Sequence, residues 1–412
     1  MGKPILLAVF RSLWPMSFRV PGPFEAGVHG PATSARSEAY PPPSTMAGAL
    51  AAALLGPAGD NSGGHSQSAT HEIYSSLASF KFTENQLKRL GNSIRIYTGL
   101  AVGVDGPPRS CHAGPNGLYV HTGEGVFMPL GKFKQLVAAI VAEYAGGPLR
   151  PFQPAYIMDD AVRRGAARRV ETTSRIGIGL QRRDKSVEEH MLYVQEMVDY
   201  SSASLAPAAL IDLTSNSKPK IKPPKTIREV LDGKTLVAPA VLGGEGRAST
   251  LEVSRCEKDP GELLSEGNPR RGLVAAALIS PALIGVRKPV DIGRAGEPVV
   301  LDTNLARGIA EKLLKAAEKD IGGIAKSLEP VTAIMLHKRG VEARSIGWDI
   351  YLDAPRPPAI VVPPGTILVY RYKASGASGQ PSDIGKAARV LARKGLGELS
   401  HLGWGTVVTV AL

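Results

Sequence analysis

The chain has 412 residues, 43% hydrophobic and 21% charged: enough apolar material for two or more cored domains, and too balanced for a disordered or fibrous chain. Its 49 Lys and Arg against 37 Asp and Glu leave a net charge of +12, which favours a polyanionic partner through counterion release and long-range steering. Two cysteines, Cys111 and Cys256, allow at most one disulfide and no CxxC pair, so a zinc site is set aside and a reduced intracellular setting is the simplest account.

No stretch approaches the ~20 apolar residues of a membrane span. The 46 Gly and 33 Pro suit a loop-rich α+β protein better than a helical bundle. Pro4 to Phe10 reads as a first β-strand and not a signal segment, because Arg11 interrupts the run and no small-residue cleavage site follows. Pro41, Pro42 and Pro43 then make a stiff extended ramp. Ser44 or Thr45 is placed to cap the helix that follows, whose apolar residues are Met46, Ala47, Ala49, Leu50 and Leu54. Gly48 is expected to let another backbone approach, and Gly56-Pro57 stops the helix.

Gly56 to Gln67 is a Gly/Ser-rich loop, Thr83 caps a short helix to Leu90, and Ile94 to Val104 alternates as a strand. Lys132 to Tyr144 carries Phe133, Leu136, Val137, Ile140 and Val141 at helical spacing. Strand patterns follow at 191–199 and 207–213, and Ser215 to Lys225 is a basic, proline-broken linker. The second half shows strands at 235–242, 249–255 and 272–279, then an amphipathic helix from Asn304 to Lys319. Strands at 331–336, 346–352 and 366–372, a helix from Ser382 to Lys394 and a β-rich run from Thr406 to Ala411 complete it. This alternation predicts two βαβ-containing halves with antiparallel sheets.

The densest basic run is Arg163, Arg164, Arg168 and Arg169, followed by Arg175 and by Arg182, Arg183 and Lys185. It reads either as a solvated face or, because it flanks the glycine-spaced Ile176-Gly177-Ile178-Gly179, as a surface where guanidinium forks and backbone N–H groups reach one phosphate chain. Leu242 to Arg247 (LGGEGR) is a tight turn or an anion-binding loop; Ser249 stands where a dinucleotide fingerprint needs glycine. Gly233-Lys234-Thr235 lacks the glycine of a P-loop, since Arg228 stands there. Gly395, Gly397, Gly403 and Gly405 bracket His401 in C-terminal turns. His29 and His71 lie in no catalytic motif, the Asp159-Asp160 pair lacks a third metal ligand, and no nucleophile–histidine arrangement is present. No catalytic residue, metal site or cofactor is assigned.

Several motifs recur in a telling order: the opening Leu13-Trp14-Pro15-Met16-Ser17-Phe18-Arg19 with Pro23-Phe24, the PPPST-M-AGAL helix start, Arg175-Ile176-Gly177-Ile178, Leu242 to Arg247, Gly347-Trp348-Asp349, Val362 to Ile367 and Gly403-Trp404-Gly405. In this order the chain resembles the RAMP protein in the foot of type III-B (Cmr) CRISPR effector complexes, over nearly its whole length. It departs from that family at Trp14 and Val20, which stand where acidic residues are usual.

The resemblance implies two ferredoxin-like (RRM-type) halves with long glycine/proline-rich loops, at residues 1–214 and 226–412 and joined by the 215–225 linker. It implies a cytoplasmic, non-catalytic subunit that grips the 5′ tag of the CRISPR RNA and meets target RNA only indirectly. Its other expected partners are the large Cas-type signalling subunit and the backbone RAMP subunits, with no membrane contact. The RNA-binding residues expected on this basis are Arg19, Ser44, Thr45, Gly48, Arg175, Arg182, Arg183, Gly243, Gly244, Gly246, Arg247 and Gly403. An alternative is a metal-independent endoribonuclease processing the precursor RNA with His29 as base; a third is a scaffold that touches no RNA.

Overall fold

The computed structural model describes residues 5–12, 14–18, 34–55, 94–104, 117–146, 154–180, 187–213, 225–243, 248–267, 271–286, 303–336, 340–346, 348–349, 354–356, 358–373 and 381–412. The first part runs β1 (Ile5–Ser12), β2 (Ser34–Ala35), α1 (Pro43–Leu55), β3 (Arg95–Gly103), β4 (Leu118–His121), β5 (Val126–Pro129), α2 (Leu130–Gly146), α3 (Pro154–Arg163), β6 (Arg168–Arg169), β7 (Glu171–Leu180), β8 (Val187–Asp199), β9 (Leu205–Asp212), α4 (Lys225–Leu231), β10 (Leu236–Val241) and β11 (Ala248–Cys256). The remainder runs α5 (Pro260–Leu263), β12 (Ser265–Gly267), β13 (Leu273–Leu278), β14 (Ala282–Ile284), α6 (Thr303–Ile321), β15 (Leu328–Met335), β16 (Glu342–Ser345), β17 (Trp348–Asp349), β18 (Ala354–Pro355), β19 (Pro358–Val362), β20 (Thr366–Tyr372), α7 (Pro381–Lys394), β21 (Leu402–Gly403) and β22 (Val407–Ala411). The fold is mixed α+β with mainly antiparallel sheets.

Two sheets organise the core. The larger has the order β10-β11-β1-β9-β3-β4-β5-β6, with β21 pairing β3; the second has the order β12-β22-β13-β20-β15. β1 is a continuous apolar run because both its faces are covered. Leu6, Ala8 and Phe10 pack with Met46, Leu50 and Leu54 of α1. Ile5, Leu7 and Val9 share a second cluster with Phe133 and Val137 of α2, with Ala275 and Val408 of the second sheet and with Ile279 just after β13. α6 and α7 cover the other face of that sheet through Leu313, Ala317, Ala388 and Leu391. The stretch β13–α6–β15–β20–α7–β22 places its strands in the order β22-β13-β20-β15, and β1–α1–β3–β9–α4–β11 places its strands as β11-β1-β9-β3. Fourth-first-third-second therefore occurs twice.

The two sheets are clasped by glycines and hydroxyls. β3 breaks register between Tyr97 and Leu100, where Gly99 takes φ +79°. A Cβ on Gly99 would lie 2.0 Å from the Ile279 carbonyl oxygen, so no other residue admits this approach. The Gly403 carbonyl accepts hydrogen bonds from Thr98 Oγ1 (2.8 Å), Ser280 Oγ (2.7 Å) and Thr406 Oγ1 (3.0 Å). The Thr98 N–H donates to Thr406 Oγ1 at 3.2 Å. Arg95 donates to the Lys394 carbonyl and Ser400 Oγ, and Arg393 pairs with Asp212 and Asp259 at 3.6 Å each.

Three local expectations are corrected. α1 begins at Pro43, whose ring presets a helical φ, and the Met46 N–H donates to the Pro42 carbonyl at 3.0 Å. Ser44 and Thr45 therefore lie inside the first turn and do not cap it; the Ser44 hydroxyl lies 3.5 Å from the Ile346 carbonyl. A Cβ at Gly48 would meet nothing within 4 Å, so no described backbone approaches there. Cys256 is disulfide-bonded and itself fully buried, where the composition had favoured a reduced thiol. Among the described residues no helix is long and apolar enough to cross a membrane.

Candidate nucleic-acid interface

The basic run divides sharply once folded. α3 carries Asp159 and Asp160 one turn ahead of its end, so Arg164, just past that end, pairs with Asp160 at 2.9 Å across an i,i+4 step. Arg169 reaches back to Asp159 at 2.6 Å. Arg168 donates to the carbonyls of Ala203 and Ser204 and covers the Tyr119 ring at 5.0 Å, so it serves packing. Arg163 and Arg175 are exposed and make no ion pair among the described residues. The aspartate pair is thus spent on arginines, and no group of three metal-ligating side chains occurs among the described residues.

Arg175 stands on β7, which pairs with β8 from Glu171↔Asp199 to Leu180↔Val187. In the three-stranded sheet β2-β8-β7, β7 is the edge, and residues 171–176 are exposed on both alternating faces. The threonines, serine and arginine there match a strand with neither face against the core. Ile176, beside Arg175, is 69% exposed.

Residues 14–18 tie this arm to two other expected site segments. Met16 and Val198 of β8 exchange both backbone hydrogen bonds, at 2.9 and 2.6 Å. Phe18 N–H donates to Ser37 Oγ, whose own N–H donates to Glu196 on β8. On its other side the segment meets Gly243, which takes φ +90° after β10; a Cβ there would lie 2.7 Å from the Ser17 carbonyl oxygen. Residues 36–42 then lead into α1. Tyr200 OH donates to the Ala39 carbonyl and Tyr40 OH to the Ala208 carbonyl. Burial pushes both phenols well above their ordinary pKa, so they remain neutral donors and fix the approach to the helix.

The structure therefore brings together the opening segment, the β7–β8 arm, the start of the LGGEGR turn and the approach to α1. Ser44, Thr45 and Gly48 line the half-buried outer face of α1. Gly403 is corrected: it is buried in the clasp, where its φ of +96° serves a contact with Thr98, and its carbonyl is saturated by three hydroxyls. Arg19, Arg182, Arg183, Gly244, Gly246, Arg247, His29 and His71 lie outside the described residues. Residue-type reasoning passed over Ser17 and Gln195, whose buried Oγ and Nε2 have no hydrogen-bond partner among the described residues. An apolar opening followed by a strand gives no signal for either.

A family model described as CRISPR-associated protein (Cas_Cmr3) matches residues 157–412, more than half of the chain. A search of curated proteins gave no match. Among solved structures, the chain is similar to one in the cryo-EM structure of the type III-B Cmr-beta bound to cognate target RNA and AMPPnP, at 15% identity over 92% of this chain and 87% of that one, with a TM-score of 0.45. It is also similar to a chain of the Csm3-Csm4 subcomplex of the type III-A CRISPR-Cas interference complex, at 12% identity over 89% and 97%, TM-score 0.33. A RAMP protein binding different RNA substrates matches at 12% identity over 77% and 99%, TM-score 0.25. No residue role is carried over from these three superpositions.

Proposed function

Because the chain belongs to the Cas_Cmr3 family of CRISPR-associated proteins, we propose that it is a non-catalytic RNA-binding subunit of a type III-B CRISPR effector complex that grips the 5′ tag of the guide RNA. One margin of the molecule supports this reading: residues 14–18 hydrogen-bond to β8 on one side and pack on Gly243 on the other. Arg175 projects from the neighbouring edge strand, and the expected contacts Arg19, Arg182, Arg183, Gly244, Gly246 and Arg247 belong to the same segments in sequence. Guanidinium groups hold tag phosphates by paired, charge-assisted hydrogen bonds, while amides of the glycine turn accept the closer approach of the backbone. Ser44, Thr45 and Gly48 keep a supporting place on the open face of α1.

We read residues 1–214 and 226–412 as two ferredoxin-like halves joined through the 215–225 linker. The fourth-first-third-second strand order found twice supports two such units, the first of them completed by α4 and β11 from beyond that linker. In the complex the subunit joins the large signalling subunit to the backbone RAMP subunits, in the cytoplasm, and meets target RNA through the guide alone. The net charge of +12 steers it to RNA. The test is binding of end-labelled repeat–spacer RNA, tagged and untagged, across a salt series. Preference for the tag with the RNA left whole is expected; cleavage at one position, abolished by His29→Ala, would replace the reading with the nuclease.

A further inference from the structure

Trp14 opens the 14–18 segment of the site above, which assigns its side chain no part. The chain has three tryptophans, and Trp404 is buried in the core, yet Trp14 is 59% exposed. Its backbone is held firmly: its N–H donates to Ser12 Oγ at 3.2 Å, and the Ser12 hydroxyl donates back to its carbonyl at 2.5 Å. Two residues on, Met16 is locked to Val198, and Phe18 packs beside Gly243. The indole thus projects from a short segment anchored on both sides, and ordering it against a ligand costs little further backbone entropy. The nearest basic residue on β1, Arg11, is neutralised by Glu252 at 2.8 Å. An uncharged aromatic face is presented at the start of the 14–18 segment, five residues before Arg19 in sequence.

We propose that Trp14 is a stacking platform for one unpaired base of the bound RNA. This rests on the RNA-binding reading above and adds to it a contact of a different kind. Arginine and amide contacts neutralise phosphates and carry the salt dependence, whereas stacking uses the π-face that every base has and releases no counterions. An unpaired nucleotide supplies such a face; a base inside a duplex does not. The rival occupant is a protein partner, toward which the exposed Val237 and Val241 on edge strand β10 point.

The test uses the full chain and a single-stranded RNA carrying the tag, with Trp14→Ala, Trp14→Phe and Trp14→Leu compared across a salt series. Stacking predicts that Trp14→Ala and Trp14→Leu weaken binding about 5- to 150-fold with the salt slope unchanged. Trp14→Phe retains most of the affinity, and all three keep the thermal midpoint of the parent. Equal affinity for Trp14→Ala and the parent overturns the proposal, as does rescue by Leu equal to that by Phe, since either removes the need for a π-face. Loss of assembly with partner subunits at unchanged RNA affinity assigns the residue to a protein interface and overturns it too. A parent chain that binds no tagged RNA defeats the RNA-binding reading itself, an outcome seen before any Trp14 variant is compared.

Discussion

The clasp between the two sheets and the margin around residues 14–18 are built from the same residue types and put them to opposite ends. In the clasp, Gly99, Gly403 and Gly405 all take positive φ, and the space their missing Cβ leaves is filled by the opposing backbone or side chain. Arg95 and Arg393 end on one carbonyl, a hydroxyl and three aspartates. At the margin Gly243 also takes a positive φ with a Cβ that would lie 2.7 Å from the Ser17 carbonyl oxygen, yet Arg175 and Trp14 extend into solvent. What separates structural from ligand-facing use is thus whether the group's bonding capacity is already taken by the fold.

Substitutions can break that contrast. Gly405→Ala should have the largest effect, because its Cβ would lie 1.7 Å from the Leu396 carbonyl oxygen and its φ is +63°. We expect a loss of at least about 3 kcal/mol in denaturant unfolding; a loss below about 1 kcal/mol would show the clasp to be soft. Thr406→Val removes the acceptor of the Thr98 N–H and one donor to Gly403 within a buried site, and should cost about 1–3 kcal/mol by the same measurement.

At the margin the expected readouts reverse. Arg175→Glu should leave unfolding within about 0.5 kcal/mol of the parent, since the residue is exposed and unpaired among the described residues. It should weaken tagged-RNA binding and lower the salt slope by about one; unchanged affinity and slope would remove Arg175 from the site. Gly48→Ala is the smallest and sharpest case. With nothing within 4 Å of the new methyl group, helix propensity should raise stability by about 0.5–1 kcal/mol. If RNA affinity falls while stability rises, α1 belongs to the interface; if both hold or rise, its outer face is bystander surface.

Much of the scaffold was readable from periodicity. The apolar spacing of Phe133, Val137, Ile140 and Val141 placed α2, and that of Ile309, Leu313 and Leu314 placed α6, to within a few residues. β1, β3, β11, β20 and β22 followed from alternation or apolar runs. The basic run was harder. The Asp160–Arg164 pair is an i,i+4 signal once a helix is assumed, but Arg169 to Asp159 and Arg168 over Tyr119 depend on a turn and a sheet that local sequence does not reveal. Glycine is the least readable residue of all. Gly403 and Gly243 look alike in sequence, and only the tertiary fold shows that the first has its carbonyl filled by three hydroxyls. Capping failed at Ser44 because Pro43 could itself start the helix, moving the boundary by two residues.

The central claim is that RNA meets the margin and not the clasp. Ultraviolet crosslinking of tagged guide RNA to the full chain, with the modified peptides mapped by mass spectrometry, tests it most directly. We expect crosslinks within residues 14–18, 171–180 and 242–247 and none within 395–406. Crosslinks concentrated in 395–406, with the margin unmodified, would contradict the account.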